Sequence, residues 1–307
     1  MRRCTVLSAL VLVGLFLTTS TFEARQENFN ILIHEVADNL WMLANDPAQQ
    51  GMRSGGNTAV YVRDDGVTLV DTKIAGYGPD IMARVREITD KPVTTIINTH
   101  THYDHTGANN EFPDTVDFVV HENTRAQMAR PSCEPVTNCE AFQGENAKYL
   151  PQTTYSDTHS LFSGDDQIDL YYFGRGHTDG DTFVVFRAAR TIHTGDMFQR
   201  KGLPFIDVAN GNGSAVEFGS TLEKAVAGIS NVDLVISGHN DTLLEWDDFV
   251  NFSGFYNDMV DQTENSHAAG RSIDEAVAAY SLPSRYSDFD APASGLRRAI
   301  EWVYGEQ

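Results

Sequence analysis

The stretch His100-Thr101-His102-Tyr103-Asp104-His105 directly follows the strand-like run Val93-Thr94-Thr95-Ile96-Ile97-Asn98. Three imidazoles and a carboxylate crowded into so short a run repel one another when protonated, and a bound cation is what makes their proximity favourable. A lone His is most often a satisfied core or surface side chain. A His-x-His-x-Asp-His cluster at a strand end is read as metal chemistry.

Working outward, residues 79–89 read as a helix with Pro79 in its first turn and Ile81, Val85 and Ile88 on one face, and Pro92 closes it. Upstream, 58–62 and 67–70 flank Arg63-Asp64-Asp65-Gly66, a hairpin signal. The runs 31–36 and 40–43 are short apolar strands, joined onward through Ser54-Gly55-Gly56. Downstream, 115–120 reads as a strand and 122–130 as a helix. The second half repeats the logic, with strands at 168–173, 182–186, 190–193 and 233–237 and a helix at 215–229. Three more helices are expected at 246–259, 272–280 and 295–304. Two β-rich halves with helices on their outer faces bury both sheets face to face, an α/β fold in a four-layer α/β/β/α sandwich. The halves are expected to meet near 165–185, within one domain spanning 21–307.

With 307 residues and 41% hydrophobic content, the chain can bury one large core or two modest ones, and nothing in its composition suggests disorder. Residues 1–20 read as an export signal: Arg2 and Arg3 form a basic start, 6–17 an apolar stretch, and Thr18-Thr19-Ser20 a small-residue cleavage site, with cleavage as late as about Ala24. The apolar stretch is short for a membrane span. The expectation is a periplasmic or secreted protein with no span after cleavage, and an uncleaved anchor is the alternative. Cys4 sits in the leader, which leaves Cys133 and Cys139 as a candidate disulfide in an oxidising compartment. The formal charge of −21 repels phosphate backbones, and no Lys/Arg cluster offsets it. That argues against a nucleic-acid partner and leaves a small-molecule substrate as the expected one. The sequence is silent on oligomeric state.

Four further residues stand at strand ends: His177 in Gly174-Arg175-Gly176-His177, Asp196 in His193-Thr194-Gly195-Asp196, His239 in Ser237-Gly238-His239, and Asp71 in Leu69-Val70-Asp71. The adjoining glycines let the backbone turn sharply enough to aim the first three into a shared site. With the opening run, there are enough ligands for two metals.

This order of motifs resembles the metallo-β-lactamase superfamily of hydrolases over nearly all of the chain after the leader. The resemblance implies that His100, His102 and His177 hold one metal, a three-imidazole set suited to zinc. It implies Asp104, His105 and His239 at a second metal and Asp196 bridging the two. Asp71 would fix the loop that bears the histidines, unless it is an ordinary turn Asp. Two zinc ions per chain are expected, with iron or manganese as alternatives. Paired cations lower the pKa of a shared water and supply hydroxide at neutral pH, which makes hydrolysis of a small ester, thioester, lactone or amide-type substrate the leading reading. Asp104 is the candidate catalytic residue, orienting the hydroxide or passing a proton to the leaving group.

A bridging Asp at 196 points, by the same resemblance, to thioester-, lactone- and phosphoester-cleaving branches. Export points instead to an exported β-lactamase, which stays open as an alternative. A mononuclear iron enzyme resembling sulfur dioxygenases is the second alternative, and a nuclease is disfavoured by charge. Met52, Tyr103, Phe198, Leu203, Pro204 and Phe205 are candidates for an apolar substrate wall. Arg175 and Lys201 are candidates for binding an anionic substrate group, unless surface carboxylates hold them.

Overall fold

The computed structural model describes residues 31–48, 54–133 and 139–307. The expected leader and Met52 lie outside the described residues. Strands β1 (Ile31–Ala37), β2 (Leu40–Asn45), β3 (Thr58–Arg63), β4 (Gly66–Val70), β5 (Val93–Ile97), β6 (Asp117–His121) and β7 (Thr153–Tyr155) lie side by side in chain order in a seven-stranded sheet. β1 to β4 pair antiparallel; Arg63 faces Gly66 across the Asp64-Asp65 turn. From β4 to β7 the pairing is parallel. Parallel neighbours need a crossover, and α1 (Gly78–Ile88) provides it between β4 and β5. The one-turn helix α2 (Tyr103–Thr106) follows β5, and α3 (Glu122–Met128) follows β6.

The second sheet has six strands in the spatial order β13-β12-β11-β10-β9-β8. They are β8 (Thr158–Leu161), β9 (Ile168–Tyr171), β10 (Phe183–Phe186), β11 (Thr191–His193), β12 (Leu234–Ile236) and β13 (Leu244–Glu245). The helix α4 (Ala215–Gly228) crosses between the parallel pair β11 and β12, and α5 (Trp246–Ala268), α6 (Ile273–Ala279) and α7 (Ala293–Gly305) follow.

The period-2 alternation of strand side chains sorts the core into three layers. In β4 and β5, Leu69 and Ile96 point outward to pack on Ile81 and Val85 of α1. Their neighbours Val70 and Ile97 point inward, where Val184, Phe186 and Ile236 of the second sheet meet them. On the far side, Phe183 and Val185 of β10 pack under Phe218 and Leu222 of α4 and Phe249 and Phe252 of α5. The result is the expected α/β/β/α layering. Each of these large side chains contributes roughly 1.5–3 kcal/mol by leaving water.

Two boundaries differ by more than two residues from the sequence reading. The chain passes between sheets at residues 156–157 rather than near 165–185. β7 and β8 are short and polar (Thr153-Thr154-Tyr155 and Thr158-His159-Ser160-Leu161), so they carry almost no apolar alternation. α5 runs on to Ala268 rather than ending at 259, because its buried face continues through Val260, Thr263 and Ser266. Thr and Ser there do not register as an apolar stripe. Among the described residues, no helix is long and apolar enough to cross a membrane.

Candidate metal centre

The chemistry-bearing residues sit at the C-terminal ends of the inner strands, where an open sheet presents its loops. Asp71 ends β4 in a left-handed conformation (φ +64°), which Asp tolerates better than most residues. Its amide donates to the Ile97 carbonyl at 2.9 Å, so the ends of β4 and β5 are laced together. Asp71 Oδ1 accepts from the Thr99 amide at 2.8 Å, and Oδ2 accepts from the Thr99 hydroxyl at 2.7 Å. α2, with His102 at its N-cap, then carries Asp104 and His105. The Gly55-Gly56 segment lies against this turn: the Gly56 amide donates to the Asp104 carbonyl at 2.9 Å, and a Cβ at Gly56 would strike the His105 ring. The buried Lys73 Nζ, whose pKa burial lowers to about 7, donates to the Gly56 carbonyl at 2.8 Å and holds that segment down.

Two groups of ligand atoms converge within 4.8 Å of one another: His100, His102, His177 and Asp196 in the first, Asp104, His105 and His239 in the second. In the first, His177 Nε2 lies 3.2 Å from His100 Nε2 and 2.9 Å from His102 Nδ1. Each ring's other nitrogen faces an oxygen outside the cluster. His102 Nε2 is 2.9 Å from Asp207 Oδ2, His177 Nδ1 is 2.7 Å from the Phe205 carbonyl, and His100 Nδ1 is 3.0 Å from Thr99 Oγ1. The Thr99 hydroxyl spends its proton on Asp71, so it accepts from His100. All three outer nitrogens therefore carry the hydrogen, and three lone pairs point at one another, an arrangement suited to a cation.

The second group uses the same device once: His105 Nδ1 donates to Asp71 Oδ2 at 2.7 Å, which turns Nε2 inward. His105 Nε2 lies 3.3 Å from His239 Nε2, and His239 Nε2 lies 3.3 Å from Asp104 Oδ2. Asp196 stands between the groups. Its Oδ2 is 3.6 Å from His177 Nε2, and its Oδ1 is 3.3 Å from His105 Nε2 and 3.2 Å from His239 Nε2. Oδ1 is buried and makes no hydrogen bond to any described residue, and a Cβ at Gly238 would collide with it. An orphaned buried carboxylate oxygen is costly unless a cation completes it. The donor set thus fits metal ions in both groups.

Protonation differs between the two groups. Burial, reinforced by the neighbouring imidazoles, holds His100 well below the usual range and His177 down at about 4. At His105 burial also lowers the pKa, but the carboxylates of Asp196, Asp71 and Asp104 outweigh it and hold the ring well above that range. At Asp196 burial would raise the pKa, yet His239 and His105 hold the carboxyl well below the usual carboxylate range.

The family model described as the Metallo-beta-lactamase superfamily matches residues 51–239, from the segment before β3 through His239. The chain belongs to the metallo-beta-lactamase superfamily. The curated relative named metallo-beta-lactamase type 2, from Elizabethkingia meningoseptica, is 23% identical over 224 residues, covering 70% of this chain and 81% of the relative. A Bacillus subtilis protein named "Probable metallo-hydrolase YqgX" is 24% identical over 210 residues, covering 65% of this chain and 93% of its own length. The solved metallo-beta-lactamase from Pontibacter korlensis shares the fold with a TM-score of 0.58 at 15% identity, over 74% of this chain and 99% of that one. This member of the superfamily is a metal-dependent hydrolase with a His/Asp metal site.

A pocket of about 370 Å³ opens onto the centre of this superfamily member, lined by His102, Asp104, Asp196 and His239 with Tyr103, Gln199, Arg200 and Phe205. Of the expected wall residues, Tyr103 and Phe205 line it, and Leu203 lines the adjoining recess. Phe198 does not: it is fully buried and stacks on Phe252 at 4.5 Å. Pro204 is buried and lines neither hollow. Arg175 is held by Glu217 at 2.6 Å and does not reach the pocket; Lys201 is held by Asp248 at 2.6 Å beside the recess. Cys133 and Cys139 form a disulfide with Cα atoms 5.3 Å apart.

Sequence reasoning missed Asp207 and Gln199. Asp207 orients His102, as described. Gln199 Nε2 donates to Asp196 Oδ2 at 2.9 Å while its Oε1 accepts from the Phe205 amide at 3.0 Å, which aims the carboxylate. Neither lies next to a glycine-flanked strand end, the signal that revealed the others.

Proposed function

We propose that this chain is an exported, binuclear zinc hydrolase of a small ester, thioester, lactone or amide-type substrate. The observation that carries the reading is the divided carboxylate of Asp196, with one oxygen toward each group of ligands. His100, His102 and His177 would hold one ion, Asp104, His105 and His239 the other, and Asp196 would be shared. Nitrogen-rich sets of this kind suit zinc, with iron or manganese as poorer or condition-dependent occupants. Bound there, the ions would supply Lewis acidity, bringing the pKa of water toward neutrality and polarising the group under attack.

The chain's own residues do the rest. Asp104 keeps 22% of its side chain exposed to the pocket, so it can take a proton at Oδ2 from an attacking water and return it to a leaving group. Gln199, Asp207, Asp71 and Thr99 fix the donors around it. Tyr103 and Phe205 give the substrate an apolar surface at the mouth. The Cys133–Cys139 bridge supports an oxidising compartment.

β-Lactam hydrolysis is the second reading, favoured by the name of the Elizabethkingia relative. A panel of thioesters, lactones, phosphoesters, carboxylic esters and β-lactams on zinc-loaded protein, with metal content measured after purification without added metal, tests both. Two zinc ions per chain with acyl or ester turnover is expected. One iron per chain and no hydrolysis of any member would overturn the proposal in favour of oxygen chemistry.

A further inference from the structure

Side chains of α3 reach across to the loop that carries His177. Asn123 Nδ2 donates to the Asp179 carbonyl at 2.7 Å, and Thr124 Oγ1 donates to the Gly180 carbonyl at 2.8 Å. Gln127, which is buried, goes further: its Nε2 donates both to Asp179 Oδ1 and to the Gly211 carbonyl, the latter at 2.9 Å. Those acceptors belong to two different loops, 52 and 84 residues along the chain from Gln127. The loops also meet each other at this point. The Gly211 carbonyl accepts from the Asp179 amide at 2.9 Å, and Asn212 Nδ2 donates to Asp179 Oδ2 at 2.8 Å.

The two loops orient two of the three imidazoles in the first group of ligands. Residues 177–181 carry His177 itself. Residues 207–213 carry Asp207, whose Oδ2 faces His102 Nε2 and whose Oδ1 accepts from the Asn210 amide at 2.9 Å. The Asp207 amide donates to the His177 carbonyl at 2.9 Å, and the Gly213 amide donates to the Asp207 carbonyl at 2.9 Å, so a shift in one loop is felt in the other. α3 is a fixed frame for both, because Met128 is buried in the outer core and Arg125 Nε donates to the Pro151 carbonyl at 2.7 Å. His100 and His105 are turned by Thr99 and Asp71 instead.

Gln127 Oε1 is buried and makes no hydrogen bond to a described residue. An unpaired buried amide oxygen is destabilising, and an apolar side chain of similar length would leave none. The reverse amide orientation would set that oxygen against a carbonyl and a carboxylate. The side chain therefore serves through its two N–H groups, one for each loop.

We propose that Gln127 is a positioning residue for the first metal-binding group: by yoking residues 177–181 to residues 207–213 it holds His177 and, through Asp207, His102 at the spacing a cation needs. The cation rests on the metal-centre reading above; the yoke rests on the hydrogen bonds alone. Partners that orient metal-bound imidazoles are worth about 10–100-fold in metal affinity. Gln127 acts one bond further out, and about tenfold is expected.

His239→Ala on the full chain isolates the first group, and its zinc affinity is read by chelator competition, with circular dichroism to check the fold. Gln127→Met, of similar length but without donors, should weaken that zinc by about tenfold. Gln127→Lys puts a donor back before the same two oxygens and should recover most of the loss, whereas a space-filling role would favour Met over Lys. Wild-type affinity in Gln127→Met, or a loss that Lys does not recover, overturns the proposal. If Gln127→Met does not fold, Asp179→Ala removes the yoke from the other side: about tenfold weaker zinc supports the proposal and unchanged affinity overturns it. If the His239→Ala chain takes up no zinc, hydrogen exchange on the metal-free chain decides instead, and the metal reading itself falls only if the unsubstituted chain takes up none either. The Asp207 and Gly213 amides should both exchange about tenfold faster in Gln127→Met; unchanged protection at either overturns the yoke.

Discussion

In the first group of ligands, His100 and His177 are fully buried and every outer ring nitrogen is tied to an oxygen of the scaffold. In the second, only His105 is held that way, while Asp104 and His239 keep 22% and 13% of their side chains exposed and line the pocket. The chemistry of the donors is similar, and the solvent access is not. A closed half presents a fixed set of inward-facing imidazole nitrogens. An open half sets Asp104 and His239 at the pocket, beside a buried His105 ring whose pKa the surrounding carboxylates raise. The difference suggests a division of labour in which the closed half anchors and the open half exchanges.

The comparison breaks first at Asp196, the residue common to both halves. Asp196→Ala should lower hydrolysis by more than about a hundredfold, since loss of a ligand exceeds the cost of losing a residue that merely orients one. Metal content should fall below two per chain with circular dichroism unchanged; full turnover with full metal content would remove the bridging role. His239→Ala should separate the halves. One ion per chain should remain, and the measured stoichiometry should drop to one while the first site keeps its affinity. Loss of both ions together would mean that the halves do not act independently.

Smaller effects sharpen the contrast. Asp207→Asn acts on the closed half through His102, and Asp71→Asn acts on the open half through His105 as well as on the His100 side through Thr99. Each should weaken metal binding by about 10–100-fold, read by chelator competition. The Asp71 change should affect both sites and the Asp207 change only one. The smallest effect is on protons. His100 and His177 are held low, so uptake at the closed half should release no proton from them near neutral pH. His105 is held high, so a cation at the open half displaces a proton and its affinity should rise with pH up to the raised pKa of that ring. Calorimetry in buffers of differing ionisation enthalpy reads both, and equal proton release at the two halves would contradict the assignment.

Much of this was legible before any coordinates. The residues the structure brings together in the two groups are the seven that stood out as His and Asp at strand ends, because short-range patterns mark such positions: an apolar run, then a glycine or a tight turn, then a ligand. The layering was equally legible, since strand alternation and helix periodicity are local. Arg175 illustrates the limit. It looks free beside His177, but its partner Glu217 lies 42 residues away on α4, and no local signal reports which helix face will arrive there. Phe198 has the opposite problem: it follows Asp196 closely and looks like pocket wall, yet its ring turns into the core against Phe252.

The sequence by itself determined the donor types, the strands that deliver them and the four-layer class, because these depend on residue chemistry and on periodicities of two or 3.6 residues. Tertiary structure alone decided which imidazole nitrogen faces inward, which carboxylate oxygen of Asp196 points to which half, and which carboxylates engage Arg175 and Lys201. Those properties depend on partners far apart in the chain, such as Asp207 and His102 at a separation of 105 residues, and only packing two sheets and the terminal helix together brings such pairs within hydrogen-bonding distance.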